Sequence, residues 1–520
     1  MKDLICGVTL LDIADVMEES ENIIYLPKGC ADKLMRFSSK HWIVRAISFG
    51  SFSDRTDTLV EERELTYFRG GLRHPASGNL FFLDNIESGE SILISSEAPD
   101  YVTTLLHITK DELWIENEDN AIVIGRGKTE EIESICRAYY KNAMINKLPR
   151  AMSNTWGDRN GNSRICRDFV LGEIEAAKEI GVDIVQIDDG WQTGETYDPI
   201  ILNEQGRKRF RGDFWEYGKK KFPGGMTEIT DAVNAAGLKL GIWFAPDSED
   251  NYALLERDIA VLKKAYFEWG VRFFKLDMYF IESKKNQEQF LKLLKTIYSF
   301  GEDVAVQLDV TRDMRINYLL GKEYGSIFME NRYTKGATFY PYRTLRSFWE
   351  FSKYLPTTRF QFEVVNPDLH GDSYAETDPF APALFDMDYL FASVMLSNPL
   401  FWMELQFLSE ERRAQLAPLM RIWKEIREEI ALADVFPVGE RPNGRSLTGF
   451  AVKGREHSYL LLFREVTERD TLELDLGNDV ELLRTVISNA EVSASVCNGR
   501  ASVNLSKPRA YALIEVDFKG

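Results

Sequence analysis

Between about residue 149 and residue 432 the chain alternates short apolar runs with amphipathic stretches of helical period, eight times over. No other feature restricts the architecture as much. Such alternation is what parallel strands joined by helical crossovers require. Eight units in about 280 residues match a closed (β/α)8 barrel. The expected strands lie near Ala151–Trp156, Val182–Asp188, Lys239–Ala245, Val271–Asp277, Val304–Asp309, Ile327–Glu330, Arg359–Val364 and Leu400–Leu405. The helices between and after them are expected at Arg167–Ile180, Met226–Ala236, Tyr252–Trp269, Asn286–Phe300, Arg315–Tyr324, Arg343–Tyr354, Pro382–Leu396 and Glu410–Ala431.

On both sides of this region the pattern is β only. Residues 1–127 read as an N-terminal β-sandwich, with strands such as Trp42–Phe49 and Ala121–Ile124 between Gly, Asp, Asn and Ser clusters. Residues 128–148 read as a linker helix, residues 149–432 as the barrel, and residues 433–520 as a small C-terminal antiparallel β-domain. The expected fold class is therefore multidomain α/β: a central (β/α)8 TIM barrel between two β-domains.

The barrel strands end in polar groups: Asn154-Thr155-Trp156, Asp188-Asp189-Gly190-Trp191, Trp243-Phe244-Ala245-Pro246, Lys275-Leu276-Asp277, Gln307-Leu308-Asp309 and Glu330-Asn331-Arg332. In a barrel these ends converge on the C-terminal mouth, where active sites form. A ring of carboxylates with Trp and Lys suits a polyhydroxylated neutral substrate and an oxocarbenium-like transition state. Retaining glycoside hydrolysis needs two carboxyl groups, a nucleophile and an acid/base. Asp277 is the nucleophile candidate, with Lys275 in step along the strand to keep it ionised. Glu330 is the acid/base candidate; pairing with Arg332 or Lys275 is its structural alternative. Asp309 is the alternative acid, or a substrate contact. Trp156, Asp188, Asp189, Trp191, Trp243, Lys275, Asp309 and Arg332 complete the expected substrate site.

Composition excludes other classes. A net charge of -19 argues against nucleic-acid binding, which rests on basic surface. The five histidines and five cysteines form no H-x-H, H-E-x-x-H or C-x-x-C pattern, so no metal site or disulfide framework is expected, and no cofactor. The first residues make a poor signal peptide and no run is apolar enough to span a membrane, so a cytoplasmic location is expected.

At Asn154-Thr155-Trp156, Gln186-Ile187-Asp188-Asp189-Gly190-Trp191, Gly241-Ile242-Trp243-Phe244-Ala245-Pro246 and Phe273-Phe274-Lys275-Leu276-Asp277 the chain resembles the melibiase-type α-galactosidases of glycoside hydrolase family 36 and its clan. The resemblance covers roughly residues 150–345. It implies a sandwich–barrel–β-domain order and retaining hydrolysis of a terminal α-galactoside through a covalent glycosyl-Asp intermediate. The family nucleophile falls on Asp277, the pair that grips O4 and O6 on Asp188 and Asp189, and the subsite walls on Trp156 and Trp243. Lys275 would contact the sugar. Three departures stand out. Glu330 replaces the family's Asp acid/base. Gln307-Leu308-Asp309-Val310-Thr311 replaces a Cys- and Gly-rich segment after strand five. The sandwich is shorter than usual.

The expected function is a retaining exo-α-galactosidase. Alternatives are the same mechanism on another galacto-configured sugar (an α-N-acetylgalactosaminide or a β-L-arabinopyranoside), a raffinose-synthase-type transglycosidase, or a non-catalytic carbohydrate-binding protein. The expected partner is an oligosaccharide or glycoside substrate, with self-association into a homo-oligomer left open, and neither nucleic acid nor a membrane.

Overall fold

The computed structural model describes residues 3–5, 8–10, 18–19, 22–26, 35–38, 40–50, 59–157, 161–193, 214–311, 315–329, 339–369, 371–477 and 480–518. Eight parallel strands close the central barrel: β1 (Met152–Asn154), β2 (Ile184–Ile187), β3 (Lys239–Phe244), β4 (Phe273–Leu276), β5 (Ala305–Asp309), β6 (Ser326–Met329), β7 (Phe360–Val364) and β8 (Leu400–Phe401). They pair in sequence order, and β8 closes onto β1 with Met152 opposite Leu400.

Alternation along each strand divides the side chains between two cores. On β4, Phe274 and Leu276 pack outward under the helices, whereas Phe273 joins Met152, Ile184, Ala305, Phe328, Leu400 and Trp402 inside the barrel. The barrel is thus filled by side chains rather than hollow. Toward the C-terminal end the interior becomes polar, with Asn154, Gln186, Lys275, Gln307 and Gln361 all buried.

The N-terminal domain has a six-stranded and a seven-stranded antiparallel sheet. The strand Leu80–Asn85 is buried at every position because both of its faces are covered. Phe81 and Leu83 enter the sandwich core, while Leu80 and Phe82 join the core shared with the barrel. The linker helix forms over Ile132–Ala143, where Arg137 grips Asp434 through Nε at 2.6 Å and Nη2 at 2.8 Å. The C-terminal domain stacks a five-stranded sheet on a three-stranded one. Its Phe450, Leu461 and Tyr511 face the barrel.

Two expected helices differ. Pro382–Leu396 becomes a 3-10 turn (Pro382–Leu384) and a short helix (Met387–Ala392). Over Arg315–Tyr324 no helix forms; the segment runs in bends and turns. Its apolar periodicity is genuine, but Asn317 folds back to accept the amides of Leu319 and Leu320 at 2.8 and 2.9 Å, and Gly321 is left-handed at φ +65°. An Asx-type turn followed by a left-handed glycine ends a helix before it starts.

Candidate active site

The register of the sheet sets Lys275 between Trp243 on β3 and Gln307 on β5. Asp277 is the first residue beyond β4, and its amide still donates to the Phe244 carbonyl at 3.0 Å. The next residue, Met278, is left-handed at φ +54°, which turns the chain away at once. For a side chain other than glycine that conformation costs about 1–3 kcal/mol. The Met278 amide donates to Asp277 Oδ1 at 2.5 Å and so ties the turn to the carboxylate.

Among the described residues, two side chains donate to the Asp277 carboxylate. Trp243 Nε1 donates to Oδ2 at 3.1 Å, and Arg315 Nη1 donates to Oδ1 at 2.9 Å. Asp277 keeps 21% of its side chain exposed, whereas Arg315 keeps 2%. The carboxylate therefore faces the mouth while its counter-charge is sealed behind it. The same Nη1 lies 3.2 Å from Asp309 Oδ1 and donates to the Asp309 carbonyl at 2.9 Å. Asp309 Oδ1 also accepts from the Thr311 amide and hydroxyl at 3.0 and 2.7 Å.

The charges are unequal in consequence. Burial pushes the Asp277 carboxyl up, but Arg315 and then Lys275 outweigh it and hold it well below the usual carboxylate range. Burial and the neighbouring Asp277 charge raise Asp309 instead. Two like charges sharing one site separate in this way.

Lys275 does not touch Asp277. Its Nζ donates to Asp188 Oδ2 at 2.9 Å and lies over the rings of Phe328 and Trp402 at 5.0 and 5.4 Å. Burial alone would lower this ammonium; Asp188, Asp277 and Asp309 raise it. Asp188 Oδ2 also accepts from Asn154 Nδ2 at 2.7 Å, and its Oδ1 accepts the Asp189 amide at 2.8 Å. Asp189 Oδ1 accepts from Gln192 Nε2. Between the two aspartates and Gln192 the turn passes through Gly190 at φ +118°, where a Cβ would meet that of Asn162 at 2.7 Å. Only glycine fits this turn without displacing its neighbour.

The expected site residues fall into three groups. Asp188, Asp189, Trp243, Lys275, Asp277 and Asp309 come together at the mouth; Trp156 is half-buried beside the inner barrel cluster. Trp191 does not serve as a sugar platform. Its indole is wholly buried against Trp215 and Trp269, and Nε1 donates to the Trp243 carbonyl at 2.9 Å. It supports Trp243 from behind. Glu330 and Arg332 lie outside the described residues. Arg315 was not anticipated from the sequence. Its signal would have been the helix-breaking pair Asn317 and Gly321 just after it. Among the described residues, no group of three or more His, Cys, Asp or Glu side chains is arranged to hold a metal ion. Nor is any described helix long and apolar enough to cross a membrane.

The chain is similar to known proteins in part of its sequence and in its fold. Residues 139–259 match the melibiase family model, a stretch that includes the Asp188-Asp189 loop and stops before β4. An α-galactosidase of Lactobacillus acidophilus, Mel36A, is 30% identical over 115 residues, which are 22% of this chain and 14% of that protein. The matched stretch is thus a small part of the relative's length. The crystal structure of the family 36 α-galactosidase AgaA from Geobacillus stearothermophilus superposes with a TM-score of 0.66 at 13% identity, over 96% of this chain and 79% of that one. A substituted form of the same enzyme, in complex with raffinose, gives 0.66 at 12% identity over the same shares. At these identities the likeness is one of fold. The melibiase resemblance therefore holds locally in sequence and across the chain in architecture.

Proposed function

We propose that this chain, which carries a melibiase segment within a family 36-type architecture, is a retaining exo-acting glycoside hydrolase of terminal α-galactosides. One observation carries the reading: Asp277, partly exposed at the barrel mouth, is held ionised by the buried Arg315 and oriented by Trp243. A carboxylate fixed in its charged form and open on one side is suited to attack an electrophilic carbon.

In the first step an Asp277 oxygen attacks the anomeric carbon. The glycosidic C–O bond breaks while Glu330 passes its proton to the leaving oxygen. In the second step Glu330, now a carboxylate, takes a proton from water. That water attacks the anomeric carbon, and the ester to Asp277 breaks. Glu330, the next residue in the sequence after β6, is the proposed acid/base because barrel active sites form at the ends of the strands. Asp188 and Asp189 are the proposed acceptors for sugar hydroxyls, and Trp156 the wall of the subsite. Arg332 is proposed as a further substrate contact. Lys275 acts through Asp188, orienting its carboxylate.

Asp309 motivates a second reading. It ends β5, in the Gln307-Leu308-Asp309-Val310-Thr311 stretch that departs from the family pattern, and that departure favours a different galacto-configured sugar under the same mechanism.

The test is a panel of aryl α-galactosides, α-N-acetylgalactosaminides and β-L-arabinopyranosides, assayed with wild type, Asp277→Asn, Glu330→Gln and Asp309→Asn. Hydrolysis abolished in Asp277→Asn, and restored in Glu330→Gln by an activated leaving group, is the expected pattern. If Asp309→Asn rather than Glu330→Gln shows that leaving-group dependence, the acid is Asp309. Silence across the panel sinks the enzyme reading.

A further inference from the structure

The residue that fixes the charge of Asp277 belongs to a segment with little regular structure of its own. Arg315 begins the stretch of turns that stands where a barrel helix was expected. Its neighbours are tied to the N-terminal sandwich. The Asp100 amide donates to the Arg315 carbonyl at 3.4 Å, and Asn317 Nδ2 donates to the Ala98 carbonyl. Tyr318 Oη donates to the Gly50 carbonyl at 2.7 Å. Lys322 Nζ donates to Glu97 Oε1 at 2.5 Å, with both side chains buried. The guanidinium itself lies 5.3 Å from the Tyr279 ring centroid.

We propose that the N-terminal sandwich is part of the catalytic machinery: its 97–100 loop clamps the 315–322 segment, and through that segment sets the Arg315 guanidinium on Asp277. Arg315 is then a positioning residue, and the clamp acts on the reaction only through it. The inference rests on Asp277 being the nucleophile of the proposed glycosidase. Its physical basis is the sensitivity of a buried ion pair to geometry. A guanidinium displaced from Asp277 leaves the carboxylates of Asp277 and Asp309 facing each other with less compensation, so one takes up a proton more readily. The other charged groups around Asp277 are Lys275 on its own strand and Asp188, which Lys275 meets at 2.9 Å.

Asp277 is ionised above its depressed pKa, so weakening Arg315 raises the pH at which the nucleophile is lost. The experiment uses the full chain with Arg315→Lys, Glu97→Gln, Asn317→Ala and the double variant Arg315→Lys/Asn317→Ala. It reads kcat, KM and the acid limb of kcat/KM on an aryl α-galactoside. Arg315→Lys is expected to lower kcat about 100-fold. Each clamp variant should lower it by up to about 100-fold. All three should move the acid limb to higher pH with little change in KM. The double variant should match Arg315→Lys within about twofold, because the clamp has no other route to the site. An unmoved acid limb in the clamp variants, or effects that multiply in the double variant, overturns the proposal.

Hydrogen exchange of peptides covering 272–280 and 315–325 separates this inference from the reading beneath it. A wild type inert on every glycoside sinks the glycosidase reading. Faster exchange of both peptides in Glu97→Gln then still supports the clamp, and unchanged exchange overturns it.

Discussion

The sandwich core and the barrel mouth are both tightly buried, and they use burial in opposite ways. In the sandwich, Val44, Phe81, Leu83, Ile92 and Ile94 are apolar, fully enclosed and need no partner. At the mouth, Asp188, Lys275, Asp309 and Arg315 are almost as enclosed, and each is held by named charged or polar neighbours. Apolar burial stabilises in proportion to the area removed from water. A buried ion pair returns little net stability, because desolvation offsets the attraction. The mouth is therefore organised for the charge state of Asp277 and the sandwich for cohesion, and substitutions in the two regions should fail in different ways.

The largest expected effect is at Asp277. Asp277→Asn should reduce kcat by roughly 10⁵- to 10⁶-fold, while thermal denaturation still shows a cooperatively folded protein. A variant that lost activity only by unfolding would erase the contrast with the sandwich. Glu330→Gln should lose about 10²- to 10⁴-fold on substrates with poor leaving groups, and much less on activated aryl glycosides. Steady-state rates across a leaving-group series check this.

Phe81→Ala should show the converse. It removes a fully buried ring from the sandwich and should cost about 3–5 kcal/mol in urea denaturation, with kcat of the folded fraction unchanged. A large fall in kcat would show that sandwich cohesion, beyond the loop contacts, reaches the site. Trp191→Phe should be milder. It leaves the Trp243 carbonyl without its buried donor, a loss of about 1–3 kcal/mol of stability. KM should change little, because no part of Trp191 meets solvent. Trp156→Ala, by contrast, should raise KM. The smallest effect is in pH dependence. Because the Asp277 carboxyl is depressed, its contribution to stability is present above the ordinary carboxylate range and lost as pH falls through the lower folded value. The acid limb of kcat/KM governed by Asp277 should thus lie below about pH 3.9.

How much of this was legible in the sequence follows the same division. The barrel could be read because apolar alternation is local: the Phe273–Leu276 strand announces itself within a few residues, and so does its terminal Asp277. The carboxylates at strand ends could be read for the same reason. Arg315 could not, because its ties are not local in the chain: Asp277 lies 38 residues before it, and the Asp100 amide that meets its carbonyl belongs to the N-terminal sandwich. The apolar residues Ile316, Leu319 and Leu320 imitate a helix face, yet they join the core shared with the barrel from a stretch of bends and turns. Trp191 was misread because a tryptophan after two aspartates suits a sugar wall as well as a core. Only the rings of Trp215 and Trp269 around it decide. The strand-end pattern put Asp188 and Asp189 near the mouth, but it said nothing about which donors each carboxylate meets.

The most direct measurement is proton NMR of the anomeric signal released in the first minutes of aryl α-galactoside hydrolysis. Attack by Asp277 followed by water on the opposite face must release the α-anomer first, with the β-anomer growing only by mutarotation. Initial release of the β-anomer would contradict a covalent role for Asp277 and with it the reason for the charge arrangement around it.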